Sequence, residues 1–235
     1  MHAVTHRFRP SRDRLRLASP ICLLPALAAC KGGLSTIDPA GPSASRVANL
    51  WWWMLGGSAL LCTLVFTLLL VALFRRGVAD RETPARKRVW IGWLGVVMPV
   101  AVLMVLLGFA LWVGERNLPT DRAAQVVQVT AYNYGWEFCY ENGSCSEGVL
   151  RIPARQSVDL DITATDVIHS LWIPRLAGKM DAIPGQINRL RIQADRPGQY
   201  EAVCAEYCGV GHVYHRFVVE AYDTGETDYA VEAAR

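Results

Sequence analysis

The run Cys204-Ala-Glu-Tyr-Cys208-Gly-Val-Gly-His212-Val-Tyr-His215 places two thiols, a carboxylate and two imidazoles within twelve residues of the 235-residue chain. Thiolate and imidazole suit copper or zinc far better than magnesium or calcium, so the segment reads as a metal loop. Such a loop usually needs a ligand from elsewhere. The acidic half of the chain holds one other histidine, His169, in Asp166-Val-Ile-His-Ser-Leu-Trp-Ile-Pro174. A lone histidine in apolar surroundings is more often structural than ligating, but the waiting donors Cys204, Cys208 and His212 turn His169 into a ligand candidate at a strand end.

Three metal readings fit these donors. One zinc is satisfied by two Cys and two His. A one-copper electron-transfer site needs a single thiolate, two imidazoles and a weak axial group. Two thiolates on one loop, with one histidine in that loop and one distant, also supply enough sulfur for each thiolate to bridge two copper ions. Spacing alone does not choose among them.

The elements that must hold these residues are legible from patterning. After Glu115 come short runs rich in β-branched and aromatic residues, among them Gln125–Tyr132, Gly148–Pro153, Ser157–Thr163, Gln186–Ile192 and Gly198–Val203. They alternate apolar and polar residues, and Asn142-Gly143 marks a hairpin turn, which together predict a small antiparallel sandwich or barrel. Before it lie two uncharged apolar runs, Leu50–Phe74, opening on Trp51-Trp52-Trp53, and Val89–Val113, with Trp at both ends and Pro99 inside. Each is long enough for a bilayer span, with tryptophans at the interface, so 50–74 and 90–113 are expected to cross a membrane.

The intervening loop, 75–89, carries six basic residues against two acidic ones, which by the positive-inside rule makes it cytoplasmic and exports 114–235. Charge divides the same way: 13 Lys and Arg against 4 Asp and Glu before residue 114, and 11 against 17 after it. An acidic exported half favours a basic soluble partner. Residues 1–29, with five arginines and a short apolar core, read as a signal peptide of the lipoprotein type. Leu27-Ala-Ala-Cys30 makes Cys30 the expected lipidation site, and residues 30–49 read as a flexible Gly/Ser/Pro/Ala linker.

Val167-x-His169 followed after 34 residues by Cys204-x-Glu206-x-Cys208-x3-His212 resembles the dinuclear copper (CuA) signature of subunit II of the haem-copper oxidases, especially cytochrome c oxidase. His169–Pro174 and Lys179-Met-Asp-Ala-Ile-Pro-Gly185 resemble two further motifs of that family. The resemblance covers roughly residues 46–222 and implies a membrane-anchored all-β protein: a two-helix transmembrane hairpin followed by a cupredoxin-like β-sandwich. It implies Cys204 and Cys208 as copper bridges, His169 and His212 as terminal ligands, and the Glu206 carbonyl as a weak ligand. The Glu206 side chain would face a magnesium ion shared with subunit I. The implied function is to accept electrons from a c-type cytochrome and pass them to haem in subunit I, with subunit III alongside, for reduction of oxygen coupled to proton translocation. The implied location is the outer face of a bacterial plasma membrane, with lipid and no nucleic acid among the partners.

Two departures stand out. The family's axial methionine is replaced here by His215, a harder and stronger donor expected to favour Cu(II). In Ala131-Tyr-Asn-Tyr-Gly-Trp-Glu-Phe138, the family's electron-accepting tryptophan position holds Tyr134, with Trp136 two places on; both are expected to form the electron entry. Cys139 and Cys145 flank the hairpin turn, and an exported domain can join them in a disulfide. Other readings are the copper subunit of a nitric oxide reductase, a membrane-anchored copper carrier, and the quinol-oxidase version of the subunit, which lacks the copper ligands.

Overall fold

The computed structural model describes residues 31–74, 83–119, 123 and 125–223. The expected signal peptide, Cys30 and residues 75–82 of the basic loop lie outside the described residues. Among the described residues, two helices are long and apolar enough to cross a membrane, Pro42–Phe74 and Lys87–Asn117, and neither apolar window is buried against protein. The first is α1 (Pro42–Phe74). The second opens as α2 (Pro84–Val89), widens into a π-helical stretch at Trp90–Val97 and continues as α3 (Met98–Asn117).

The widening sits where Pro99 would otherwise break the ladder. A proline has no N–H to give and its ring crowds the carbonyl four residues back, so a wider turn relieves both. Accordingly the Met98 N–H reaches back to the Trp93 carbonyl. The disturbance from Pro99 is thus taken up as a local change of helical pitch.

The segment before the first apolar run differs from expectation. Helix α1 begins at Pro42, inside the stretch expected to be a flexible linker (30–49), and the residues ahead of it are docked on the β-domain. Ala40 N–H donates to the Arg175 carbonyl (2.7 Å), Asp195 N–H to the Ala40 carbonyl (2.8 Å) and Ala44 N–H to the Leu176 carbonyl (3.2 Å). Asp38 pairs with Arg175 at 3.1 Å. Small residues gave the composition of a linker, but here their small size lets backbone meet backbone. At 1.5 Å per residue the 33-residue α1 is about 50 Å long, well beyond the ~30 Å hydrocarbon core, so its first turns belong to the domain side. There Arg46 Nε donates to Asn117 Oδ1 (2.7 Å), tying the two helices together at that end.

Among the described residues ten strands follow: β1 (Gln125–Tyr132), β2 (Gly135–Tyr140), β3 (Cys145–Glu147), β4 (Val149–Pro153), β5 (Val158–Ala164), β6 (His169–Trp172), β7 (Lys179–Ala182), β8 (Asn188–Ile192), β9 (Gly198–Cys204) and β10 (Arg216–Tyr222). They form two five-stranded sheets, β3-β2-β1-β5-β8 and β4-β10-β9-β6-β7. The sandwich is as expected but not wholly antiparallel, because β1 pairs parallel to β5 and β10 parallel to β4. The chain leaves the first sheet after β3 and enters the second at β4 through Gly148, whose φ of 70° suits glycine. It then returns to the first sheet as β5, so strands distant in sequence become neighbours.

Alternation along each strand sends Trp136, Phe138, Leu150, Ile152, Leu160, Ile162, Leu171 and Ile192 into one fully buried core. Each such side chain contributes about 1.5–3 kcal/mol of burial. Cys139 and Cys145 face each other across β2 and β3 and are joined in a disulfide.

Candidate metal centre

The metal loop is the connection from β9 to β10, clamped at both ends by backbone. Cys204 is the last residue of β9 and its N–H donates to the His215 carbonyl (2.9 Å), so the loop closes on itself just before β10 begins. Its neighbour Ala205 donates to the Ser170 carbonyl (2.8 Å). Strand β6 lies beside β9 with Leu171 opposite Cys204, which carries His169 to the same end of the sheet. The ring of His169 thus reaches the loop although 34 residues separate them.

The donors converge on the two sulfurs. The sulfurs are 4.0 Å apart. His169 Nδ1 is 3.9 Å from Cys204 Sγ, and the Nδ1 atoms of His212 and His215 are 3.7 Å and 3.6 Å from Cys208 Sγ. The Glu206 carbonyl oxygen lies 3.2 Å from Cys204 Sγ. Ligand atoms that share an ion through bonds of about 2.0–2.3 Å stand about 3.5–4 Å apart, so these spacings fit soft-metal coordination. His169, Cys204, Cys208 and His215 are all buried.

Outer contacts aim two of the rings. His169 Nε2 bonds Asp166 Oδ1 (2.8 Å), and His215 Nε2 bonds the Gly135 carbonyl (3.1 Å). With Nε2–H engaged, each ring presents an unprotonated Nδ1 to the sulfurs, the tautomer a metal needs. Burial works to raise the Asp166 carboxyl, but hydrogen bonds from His169, Val167 N–H and Asn133 N–H outweigh it and hold the carboxyl below its ordinary value. Burial pushes the His215 imidazole down, favouring the neutral ring. In the metal-free chain burial, then the neighbouring Cys204, push the Cys208 thiol up to about 11. The buried Cys208 thiol thus resists ionisation until a cation arrives to compensate it.

The aromatic residues separate into two roles. Tyr134 is 44% exposed, with its ring centroid 6.2 Å from that of His215. It lies over the loop, so close that a Cβ at Gly209 or Gly211 would come within 2.6 Å of it. Trp136, expected beside Tyr134 as an entry residue, is fully buried and offers no surface. It instead stacks on His215 (5.0 Å between centroids, 29° between planes) and meets His169 edge-on at 6.2 Å. The alternation of β2 explains this, since Trp136 falls on the inward phase. Among the described residues its indole Nε1 is the one buried side-chain polar atom without a hydrogen-bond partner.

Glu206 itself is exposed on the loop. The Lys179 ammonium is raised above its ordinary value mainly by its hydrogen bond to Asp181 (3.0 Å) and in smaller part by the charge of Glu206. Asp181 also accepts from Ser170 Oγ (2.7 Å), so the carboxylate sits behind the Ser170–Ala205 backbone tie. Sequence reasoning missed the supporting groups Asp166, Ser170, Asp181 and the Gly135 carbonyl. Asp166 had a signal in its place three residues before His169, whereas a backbone carbonyl carries none.

A β-sandwich mounted on an apolar helical pair, with two thiols and three imidazoles gathered at one end, defines a membrane-anchored soft-metal domain. Residues 143–222 match the family model for the periplasmic domain of cytochrome c oxidase subunit II. A cytochrome c oxidase subunit 2 of Alkalihalophilus pseudofirmus is 31% identical over 221 residues, covering 88% of this chain and 64% of that protein. A quinol oxidase subunit 2 of Bacillus cereus is 29% identical over 229 residues, covering 88% and 75%. Among solved structures, the periplasmic domain of subunit II of cytochrome oxidase (CoxB) of Bradyrhizobium japonicum superposes with a TM-score of 0.47 at 22% identity, covering 49% of this chain and 96% of that one. The chain is similar to cytochrome c oxidase subunit II, by the family model over residues 143–222, and spans under two thirds of the length of the Alkalihalophilus relative.

Proposed function

We propose that this chain is the electron-entry subunit of a haem-copper terminal oxidase. It takes electrons from a soluble c-type cytochrome at a dinuclear copper centre and hands them to haem in subunit I, where oxygen is reduced to water and protons are translocated. The observation that carries the reading is the division of donors around a shared sulfur pair. His169 and His215 gather on one side with both sulfurs, while His212 and the Glu206 carbonyl adjoin the same sulfurs separately. Two cysteines between two donor sets are what a bridged pair of ions requires.

Bound there, a copper pair supplies a one-electron relay. The protein's part is to keep the site rigid: Asp166 and Gly135 fix two rings, Trp136 covers them, and the backbone ties at Cys204 and Ala205 hold the loop. Burial excludes water from the thiolates. Tyr134 provides an exposed aromatic edge 6.2 Å from the His215 ring and is the proposed entry point. The acidic exported half attracts a basic donor, most strongly at low salt. The exposed Glu206 carboxylate is a proposed ligand to magnesium at the boundary with subunit I.

The basic loop orients both helices with the β-domain outside a bacterial plasma membrane, and Cys30 is a proposed lipid anchor. The ligand set favours an oxidase fed by a cytochrome over the quinol type, for which no thiolate pair is needed. Copper counting with electron paramagnetic resonance on the purified full chain tests the proposal. Two coppers per chain sharing one unpaired electron are expected; one copper, or zinc alone after copper loading, overturns it.

A further inference from the structure

Four of the donors form a closed set. The ligand atoms of His169, Cys204, Cys208 and His215 all lie within 4.8 Å of one another, and all four residues are buried. His212 stands outside this set, half-buried on the single helical turn His212–Tyr214, and touches only Cys208 among the sulfurs. The two donor groups are therefore unequal: one is complete and enclosed, and the other depends on an outer-turn imidazole and a backbone carbonyl.

We infer that the buried quartet is by itself a four-coordinate site for one thiolate-preferring divalent ion, zinc above all, and that it fills before the second position and independently of His212. Bonds of about 2.3 Å to sulfur and about 2.0–2.1 Å to nitrogen give tetrahedral edges of about 3.5 Å between sulfur and nitrogen and about 3.8 Å between sulfurs. Three of the six edges are 3.9, 3.6 and 4.0 Å, and the other three are no longer than 4.8 Å. Two Cys and two His are a preferred structural zinc set.

Both imidazoles are already turned with Nδ1 inward by Asp166 and the Gly135 carbonyl, so little order remains to be gained on binding. The deciding residue is His215. Zinc is bound by Cys, His and Asp or Glu and not by thioethers, so imidazole completes a site that Met would leave open. As the ion binds, Cys204 and Cys208 each form a metal–sulfur bond and each releases its thiol proton to solvent. A chain that meets zinc first then has both thiolates engaged, and copper must displace the zinc to enter.

This inference uses the ligands of the proposed copper centre but goes beyond that reading, and the two are tested by different metals. The metal-stripped full-length chain in detergent is titrated with Zn2+ alone, followed by metal analysis and thermal unfolding, and in parallel with Co2+ as a coloured stand-in. One zinc per chain, a raised Tm and the absorption of tetrahedral thiolate-bound Co2+ are expected. His212→Ala leaves zinc affinity within a few-fold of the parent. His215→Met weakens it by at least the roughly 10–100-fold that loss of an outer contact to a ligand costs. Two zinc ions per chain, no binding, or a His212→Ala loss as large as that of His215→Met overturns the inference. Stoichiometry and His212→Ala decide the matter even if His215→Met fails to fold. Copper counting on the copper-loaded chain reports on the dinuclear reading whichever way zinc behaves.

Discussion

The Nε2 atom of His215 lies 3.1 Å from the carbonyl oxygen of Gly135, eighty residues away in sequence. This contact turns Nδ1 towards Cys208, while Trp136, next to Gly135, stacks on the ring. A residue at the position of the family's methionine is therefore held as a donor and not left pointing aside. In the copper-loaded chain, His215→Met is expected to shift the visible and paramagnetic spectra and to raise the midpoint potential, because a thioether favours Cu(I) where imidazole favours Cu(II). An unchanged spectrum and potential would mean that His215 never touches copper.

Tyr134 is an exposed ring over the loop, and its seat depends on glycine at 209 and 211. Gly209 also has φ of 130°, a conformation that side chains disfavour. Tyr134→Ala is expected to slow electron uptake from a soluble c-type cytochrome on the order of tenfold, the loss of one interfacial aromatic worth 1–2 kcal/mol. Gly211→Ala should produce a similar slowing by displacing the ring, with Tyr134 still present. Stopped-flow oxidation of the cytochrome measures both, and full-speed transfer in Tyr134→Ala would remove it from the entry route.

Gly41 fixes the approach to the first helix. A Cβ there would meet the Gln193 carbonyl at 2.3 Å and the Leu176 carbonyl at 2.9 Å, both rigid backbone. Gly41→Val is expected to detach residues 31–41 from the β-domain and to speed proteolysis between the domain and α1 by about tenfold or more, following the shift in the open population. Equal cleavage rates in the two chains would restore the flexible linker that composition implied.

Asp159 is fully buried on β5 and accepts two hydrogen bonds from Arg191 on β8, at 2.7 and 3.0 Å. Burial acts to raise its carboxyl, but Arg191 and the Ala123 N–H outweigh it and the folded-state pKa is lowered. The unfolded chain then takes up this proton first, so the stability the pair contributes is present above the ordinary carboxylate range and is lost as the pH falls from about 5 towards 3. Asp159→Asn is expected to cost about 1–3 kcal/mol at neutral pH and to flatten the acid limb of stability against pH. Denaturant midpoints across that range provide the check.

The sequence by itself determined the architecture of the protein and its candidate ligands. Charge-free runs of membrane length, an acidic exported half, strand alternation and the Cys204–His212 spacing are local properties, and local physics suffices to read them. That is why the apolar helices, the sandwich and the candidates His169, Cys204, Cys208 and His212 were all accessible before any fold was seen. Tertiary structure decided what depends on contacts between distant residues. It buried Trp136 beneath the histidines and left Tyr134 exposed. It docked a segment with linker composition through backbone hydrogen bonds, and made two strand pairs parallel by passing the chain between sheets. For His215, sequence showed only an imidazole in an unusual place. Its direction comes from a carbonyl on β2 and an indole beside it, and no spacing in the loop encodes either, because a backbone acceptor has no residue type.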